Sequence, residues 1–225
     1  MGTSPNYKGG TLSNIQFNGQ AAGASVNFAE IAFVKDPDAY INARMAEIEK
    51  EVYTPVTEDR YAIRVTKTPG LRFNAFVSAE QKADADEYGF VIGLADSFGG
   101  NYDDFVFADG YDSATEVLGT TPGGKKIVNG AAYIKSADKD LIYALDGAEG
   151  TGFYYTGVLV GMSSAEQYAT NFAARSYIKV GEHTFYGDVR TASAYDVAKT
   201  GDTSDPVIAN IIATVEGGGI DEGDV

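Results

Sequence analysis

The chain has 225 residues, 44% of them hydrophobic, and carries 17 Lys and Arg against 32 Asp and Glu, a net charge of −15. That length and apolar content suit one large domain, or one domain with an appended piece, and the negative field opposes nucleic acid and anionic membrane surfaces as partners. The absence of Cys excludes disulfides, thiolate zinc sites and Cys nucleophiles, and no run reaches the roughly 18 apolar residues of a spanning helix.

Taken in chain order, residues 11–34 alternate. Leu12, Ile15 and Phe17, then Val26, Phe28, Ile31 and Phe33, flank the loop Asn18-Gly19-Gln20-Ala21-Ala22-Gly23. Two antiparallel strands are expected. A lone pair is marginal in water, so its partner must come from elsewhere in this chain or from another. Asp36 then caps a helix opening at Pro37. Ile41, Met45, Ile48 and Val52 fall on one helical face, and Thr54-Pro55 closes it.

From Tyr61 the pattern is β almost throughout. Strands are expected at 61–65, 71–77 and 88–93, with Thr68-Pro69-Gly70 as a turn. The near-continuous apolar run Tyr88-Gly89-Phe90-Val91-Ile92-Gly93 marks a central strand. Residues 96–126, rich in Gly, Asp and Thr, read as a long loop region with room for short strands. Residues 131–135 read as a strand or a loose segment, further β segments are expected at 141–145 and 152–160, then a helical turn capped by Ser164. A hairpin follows, 172–180 and 183–189 around Gly181-Glu182. A short helix at 193–199 and another opening at Asp205-Pro206 lead into an acidic, Gly-rich tail from Glu216.

Catalytic signatures are sparse. His183 is the only histidine, at the start of a strand, and no Gly-x-Ser-x-Gly elbow accompanies it, so it reads as a structural or surface residue. Acidic neighbours such as Asp84, Asp86 and Glu87, or Asp103 and Asp104, suggest a glycosidase pair, but 32 acids place such neighbours together by chance and the chain has no Trp. Thr121-Pro122-Gly123-Gly124-Lys125-Lys126 lacks phosphate-loop spacing and reads as a turn with two solvated lysines. Asn101-Tyr102-Asp103-Asp104 and Asp109-Gly110-Tyr111-Asp112-Ser113 offer oxygen ligands without the spacing of a helix-loop-helix calcium site. They read as solvated acidic loops, with calcium as the alternative. No catalytic, cofactor-binding or metal residue is assigned. The 15 Tyr and 12 Phe are the strongest compositional signal: most should pack, and exposed Tyr would make a binding surface. Tyr154 and Tyr155, adjacent on a strand, must face opposite ways.

Several segments carry a resemblance. They are Pro69-Gly70-Leu71-Arg72-Phe73, Glu87-Tyr88-Gly89-Phe90-Val91, Phe153-Tyr154-Tyr155-Thr156-Gly157-Val158-Leu159, the run from Tyr168 to Lys179, Phe185-Tyr186-Gly187-Asp188 and Ser193-Ala194-Tyr195-Asp196-Val197-Ala198. Together, over about residues 60–200, the chain resembles a C-terminal β-domain of large secreted proteins of anaerobic, Clostridia-type bacteria. Residues 10–40 are similar to the closing strands of a jelly-roll, carbohydrate-binding-like module that precedes this domain. The resemblance implies a piece of a longer surface protein, its acidic tail leading on to an anchoring module. Phage virion decoration proteins use such sandwiches too, which keeps a virion role as the alternative.

The expectation is a mainly β protein, an antiparallel sandwich of Greek-key, immunoglobulin-like character with one N-terminal helix and short C-terminal helices. Its parts are a strand pair at 1–35, helix and linker at 36–56, the sandwich at 57–200, and helix and tail at 201–225. The expected function is a non-catalytic accessory or adhesion module, extracellular or at the cell surface, binding a glycan or protein partner. The alternative is a structural subunit that self-associates through strand pairing.

Overall fold

The computed structural model describes residues 36–108, 110–147 and 150–217. The strand pair expected at 11–34 and the tail beyond Gly217 lie outside the described residues. The chain divides into a unit Met1–Ala43, described only over residues 36–43, and a unit Arg44–Val225.

Helix α1 spans Pro37–Tyr53. The Asp36 carboxylate accepts the Ala39 N–H at 3.1 Å, the cap that the sequence implies. The apolar stripe departs from expectation: Ile41, Met45, Ile48 and Val52 are 42–54% exposed. Polar contacts hold the last turn instead. Gln81 Nε2 donates to the carbonyls of Val52 and Thr54 at 2.7 and 3.1 Å, and the Tyr53 hydroxyl donates to Asp84 at 2.8 Å.

Among the described residues ten strands follow: β1 (Val56–Arg64), β2 (Gly70–Ser78), β3 (Glu87–Leu94), β4 (Gly119–Thr120), β5 (Lys126–Ile127), β6 (Ala131–Lys135), β7 (Ile142–Gly147), β8 (Gly150–Val160), β9 (Phe172–Val180) and β10 (His183–Ala192). One sheet has the order β1-β2-β8-β7 and a second β10-β9-β3-β6; β4 and β5 form a small hairpin. All pairings are antiparallel. With β4 and β5 set aside, this is the ABED and GFCC′ order of an immunoglobulin-type sandwich with one strand added to its second sheet.

Alternation builds the interior. On β2, Leu71, Phe73, Ala75 and Val77 face inward, and Tyr155 and Leu159 of β8 sit opposite Ala75 and Leu71. Phe90 and Ile92 of β3 and Phe172, Ala174 and Ile178 of β9 meet them in one cluster. Burying each large apolar side chain contributes roughly 1.5–3 kcal/mol. Where the ring of Phe90 crosses toward the first sheet, it meets Gly157. A Cβ there would lie 2.8–3.1 Å from Phe90.

β3 is apolar on both faces because both are covered. Val91, Ala173 and Tyr177 point away from the sandwich interior into a second cluster with Phe105, packed by Phe98, Tyr102, Phe107 and Tyr133. The long segment after β3 therefore folds back over the outer face of the second sheet. Arg175 fastens it: Nη1 donates to the Phe105 carbonyl at 3.3 Å while Nε donates to the Gly187 carbonyl at 3.0 Å.

The sheets are also joined by polar contacts near the start of β1. Thr57 Oγ1 lies 2.7 Å from Ser176 Oγ and accepts the Ser176 N–H at 3.0 Å, both residues fully buried. Gly187 of β10 closes this spot. A Cβ on it would come within 2.6 Å of the Pro55 carbonyl oxygen and of both hydroxyls.

Four short helices complete the fold: α2 (Ala79–Asp84), α3 (Ala165–Ala169), α4 (Ala194–Lys199) and α5 (Pro206–Gly217). α2 goes beyond the expected elements, although its signal is present: Ser78 and Gln81 form a reciprocal capping box. Ile208 and Ile211 of α5 pack on Ala198 of α4, with Ile63 and Val65 against them.

Candidate functional site

The carboxylates at 84–87 that suggested chemistry are each engaged by a different part of the fold. Asp84 accepts from Tyr53, Asp86 accepts the Gly181 N–H at 2.7 Å, and Glu87 accepts from the Tyr177 hydroxyl at 2.7 Å and from Lys135 at 3.1 Å. Three neighbouring carboxylates thus hold three different elements. His183 is exposed at the start of β10, and its imidazole has no hydrogen-bonded partner among the described residues. A triad base needs a nucleophile and an orienting carboxylate within reach of the ring.

The acidic loops are tied internally. Asn101 Oδ1 accepts the Asp103 N–H at 3.0 Å, a local turn. Asp112 accepts from the Tyr133 hydroxyl, while Lys126 Nζ donates to the Asp112 and Ala114 carbonyls at 2.8 and 3.3 Å. An ammonium sits where a cation would draw those carbonyls. Lys126 is therefore not a solvated turn lysine, although the turn itself forms, with the Thr121 N–H donating to the Lys125 carbonyl at 2.7 Å. Among the described residues, no group of three or more His, Asp or Glu is placed to hold a metal ion.

The tyrosines are used for packing. Tyr155 is 1% exposed and Tyr154 half-buried, on opposite faces, and among the described tyrosines only Tyr143 is exposed. The Glu87 cluster has a pH consequence. Burial alone would raise its carboxyl, but the hydrogen bonds from Tyr177 and Lys135 and the charge of Lys179 together hold it below its ordinary range. A carboxyl lowered in the fold stabilises the protein above its unfolded pKa of about 4.3, and that stabilisation is lost as pH falls through the folded value. Glu87→Gln should therefore cost about 1 kcal/mol at pH 7. In melting curves taken from pH 7 to pH 3, the gap to the parent should close below about pH 4. A gap unchanged at pH 3 would contradict the ion-pair account.

Two of the clefts among the described residues could hold a ligand. The first, of about 350 Å³, opens at the end of the sandwich where β3 finishes and β9 begins. Ile92, Leu94, Ile127 and Phe172 give it apolar walls, and Thr120, Glu166 and Gln167 give it a polar rim. Its walls come from the long β3–β6 connection and from α3. Gln167 Oε1 is engaged by the N–H groups of Ser163 and Ser164 at 2.7 and 3.3 Å, which fixes the side chain. Its amide NH₂, the Glu166 carboxylate and the Thr120 hydroxyl have no protein partner among the described residues.

The second cleft, of about 550 Å³, lies between the β1–β2 turn, β8 and the β6–β7 crossover. Arg64, Lys67, Arg72, Lys135 and Lys139 line it against the single acid Asp140, so five of the chain's 17 cations meet here. Arg64 donates Nε and Nη2 to the Thr68 carbonyl, and Lys135 pairs with Glu87. Arg72 has no acidic partner among the described residues. Its Nε and the Ser136 hydroxyl are buried without a hydrogen bond. A buried donor left unpaired costs about 1–3 kcal/mol. The Tyr155 hydroxyl also lacks a bond of ordinary geometry, but Ser176 lies beside it in the core, so it belongs to the interior rather than the cleft.

No family model, curated protein or solved structure matches this chain. Neither cleft is foreshadowed in the residue order. Leu94, Thr120 and Glu166 are separated along the chain and converge only through the strand order. Arg72 looks like any outward residue of an alternating strand; the missing counter-charge is a three-dimensional fact.

Proposed function

We propose that this chain is a non-catalytic binding module of a bacterial extracellular surface protein, and that the first cleft takes part of a glycan or protein partner. The observation that carries the reading is a cleft with apolar walls and unengaged polar groups on its rim, held on a sandwich scaffold. Glu166, Thr120 and the Gln167 amide suit a neutral, hydroxyl- or amide-bearing ligand, and Leu94, 41% exposed, supplies an apolar contact. The surface setting rests on the sequence resemblance over residues 60–200. Glycan and peptide arrays probed with the labelled protein test this: a discrete set of related ligands is expected, and uniform silence counts against it.

A structural subunit is the second reading, and the edge strand β7 favours it. Ile142 and Tyr143 on that edge are 64% and 54% exposed. Apolar edge strands are templates for pairing between chains. Light scattering at rising concentration decides it, because a strict monomer at the highest concentration contradicts assembly.

A further inference from the structure

The basic cleft borders an incomplete sheet edge. β2 pairs with β8 along its length, from Gly70↔Val160 to Ser78↔Gly152. On the other side β7 reaches only from Gly147↔Gly150 to Ile142↔Tyr154. Beyond Tyr154, the outer edge of β8 has no backbone hydrogen bond among the described residues. Thr156 and Val158 of this stretch line the cleft together with Arg72, Lys67 and Lys139.

We propose that this cleft binds a short, extended, acidic segment of another protein, added as a strand to β8 where β7 stops. The unpaired edge offers main-chain hydrogen bonds, which is how strand addition gains affinity. The cations supply selectivity. Side chains of an added strand alternate, so acids at every second position would stand on the face that carries Thr156, Val158 and Arg72. A carboxylate is also the counter-charge that Arg72 lacks among the described residues, and a guanidinium takes one through two parallel bonds. An acidic glycan would satisfy the charges but leave the strand edge unpaired, so the peptide is favoured. The net charge of −15 does not forbid this: at about 0.15 M salt, screening confines charge effects to roughly 8 Å, within which the cleft's own cations dominate. The two clefts share no lining residue, so failure here leaves the reading of the first untouched.

The test uses the full chain and fluorescence anisotropy with a seven-residue peptide alternating threonine and glutamate. The comparison probes are its glutamine counterpart, a version N-methylated on one edge, and polygalacturonate. The glutamate peptide should bind, at least tenfold more tightly than the glutamine and N-methylated ones. Affinity should fall as salt rises. Arg72→Gln should weaken it at least tenfold, and so should the exposed-site double variant Lys67→Glu/Lys139→Glu, whose melting temperature should match the parent. Absence of binding, affinity unchanged in both variants, affinity that rises with salt, or binding of polygalacturonate alone would each overturn the proposal.

Discussion

Phe90→Ala is expected to destabilise the protein by about 3–5 kcal/mol, the cost of removing a fully buried aromatic ring from a packed interior. In a chain of this size that lowers the melting temperature by about 6–20 °C. The reason lies in the crossing of the sheets. Phe90 leaves β3 at the middle of the second sheet, stands 5.4 Å centroid to centroid from Tyr155, and has its ring against the backbone of Gly157. Gly157 has no Cβ, and that is what lets the ring reach the first sheet. Gly157→Val should cost about 1–3 kcal/mol by overpacking. Combined with Phe90→Ala, the valine fills part of the vacated volume, so the double variant should be more stable than the sum of the singles predicts, by about 0.5–3 kcal/mol. Strict additivity would mean that the two residues do not touch and that the sheets do not pack as described.

The second large effect is expected at Gly187. A valine there drives its Cβ to within 2.6 Å of the Pro55 carbonyl and of the hydroxyls of Thr57 and Ser176. None of these can swing away cheaply. One is backbone, and the two hydroxyls are buried and bonded to each other. Gly187→Val should cost about 3 kcal/mol, read as a melting temperature lower by about 6–12 °C. Gly187→Ser is no rescue, since the serine Cβ meets the same atoms. Hydrogen exchange adds a local readout: the Ser176 amide, which donates to Thr57, should lose protection first.

Much of the β framework is readable from residue order. The alternation of Leu71, Arg72, Phe73 and Asn74 assigns β2 its two faces, and the unbroken apolar run of β3 marks a strand covered on both sides. The hairpin turns at Gly181, where φ is +59°, at the position its Gly-Glu pair implies. β1 is the exception. Its pattern is legible only from Tyr61, because a bulge between Thr57 and Tyr61 breaks the alternation. Helix α1 is legible by its period, yet period does not say whether a stripe is buried, and Met45, Ile48 and Val52 remain exposed. The tyrosines are legible as packing residues but not as a surface. Tyr88 is buried in the sandwich interior, whereas Tyr111 and Tyr177 are buried where the segment after β3 folds over the second sheet, a long-range arrangement with no local signature. Both clefts are hidden for the same reason, since strand order rather than sequence distance brings their residues together.

As proposed above, the chain binds rather than reacts, and does so at the end of the sandwich. Titration of the strongest array ligand against the parent, Leu94→Asp and Glu166→Ala, followed by recovery of the ligand, tests this most directly. Saturable binding by the parent is predicted, with affinity at least tenfold weaker in each variant at unchanged melting temperature, and ligand recovered intact. Binding indifferent to both substitutions, or a ligand recovered cleaved or modified, would contradict it.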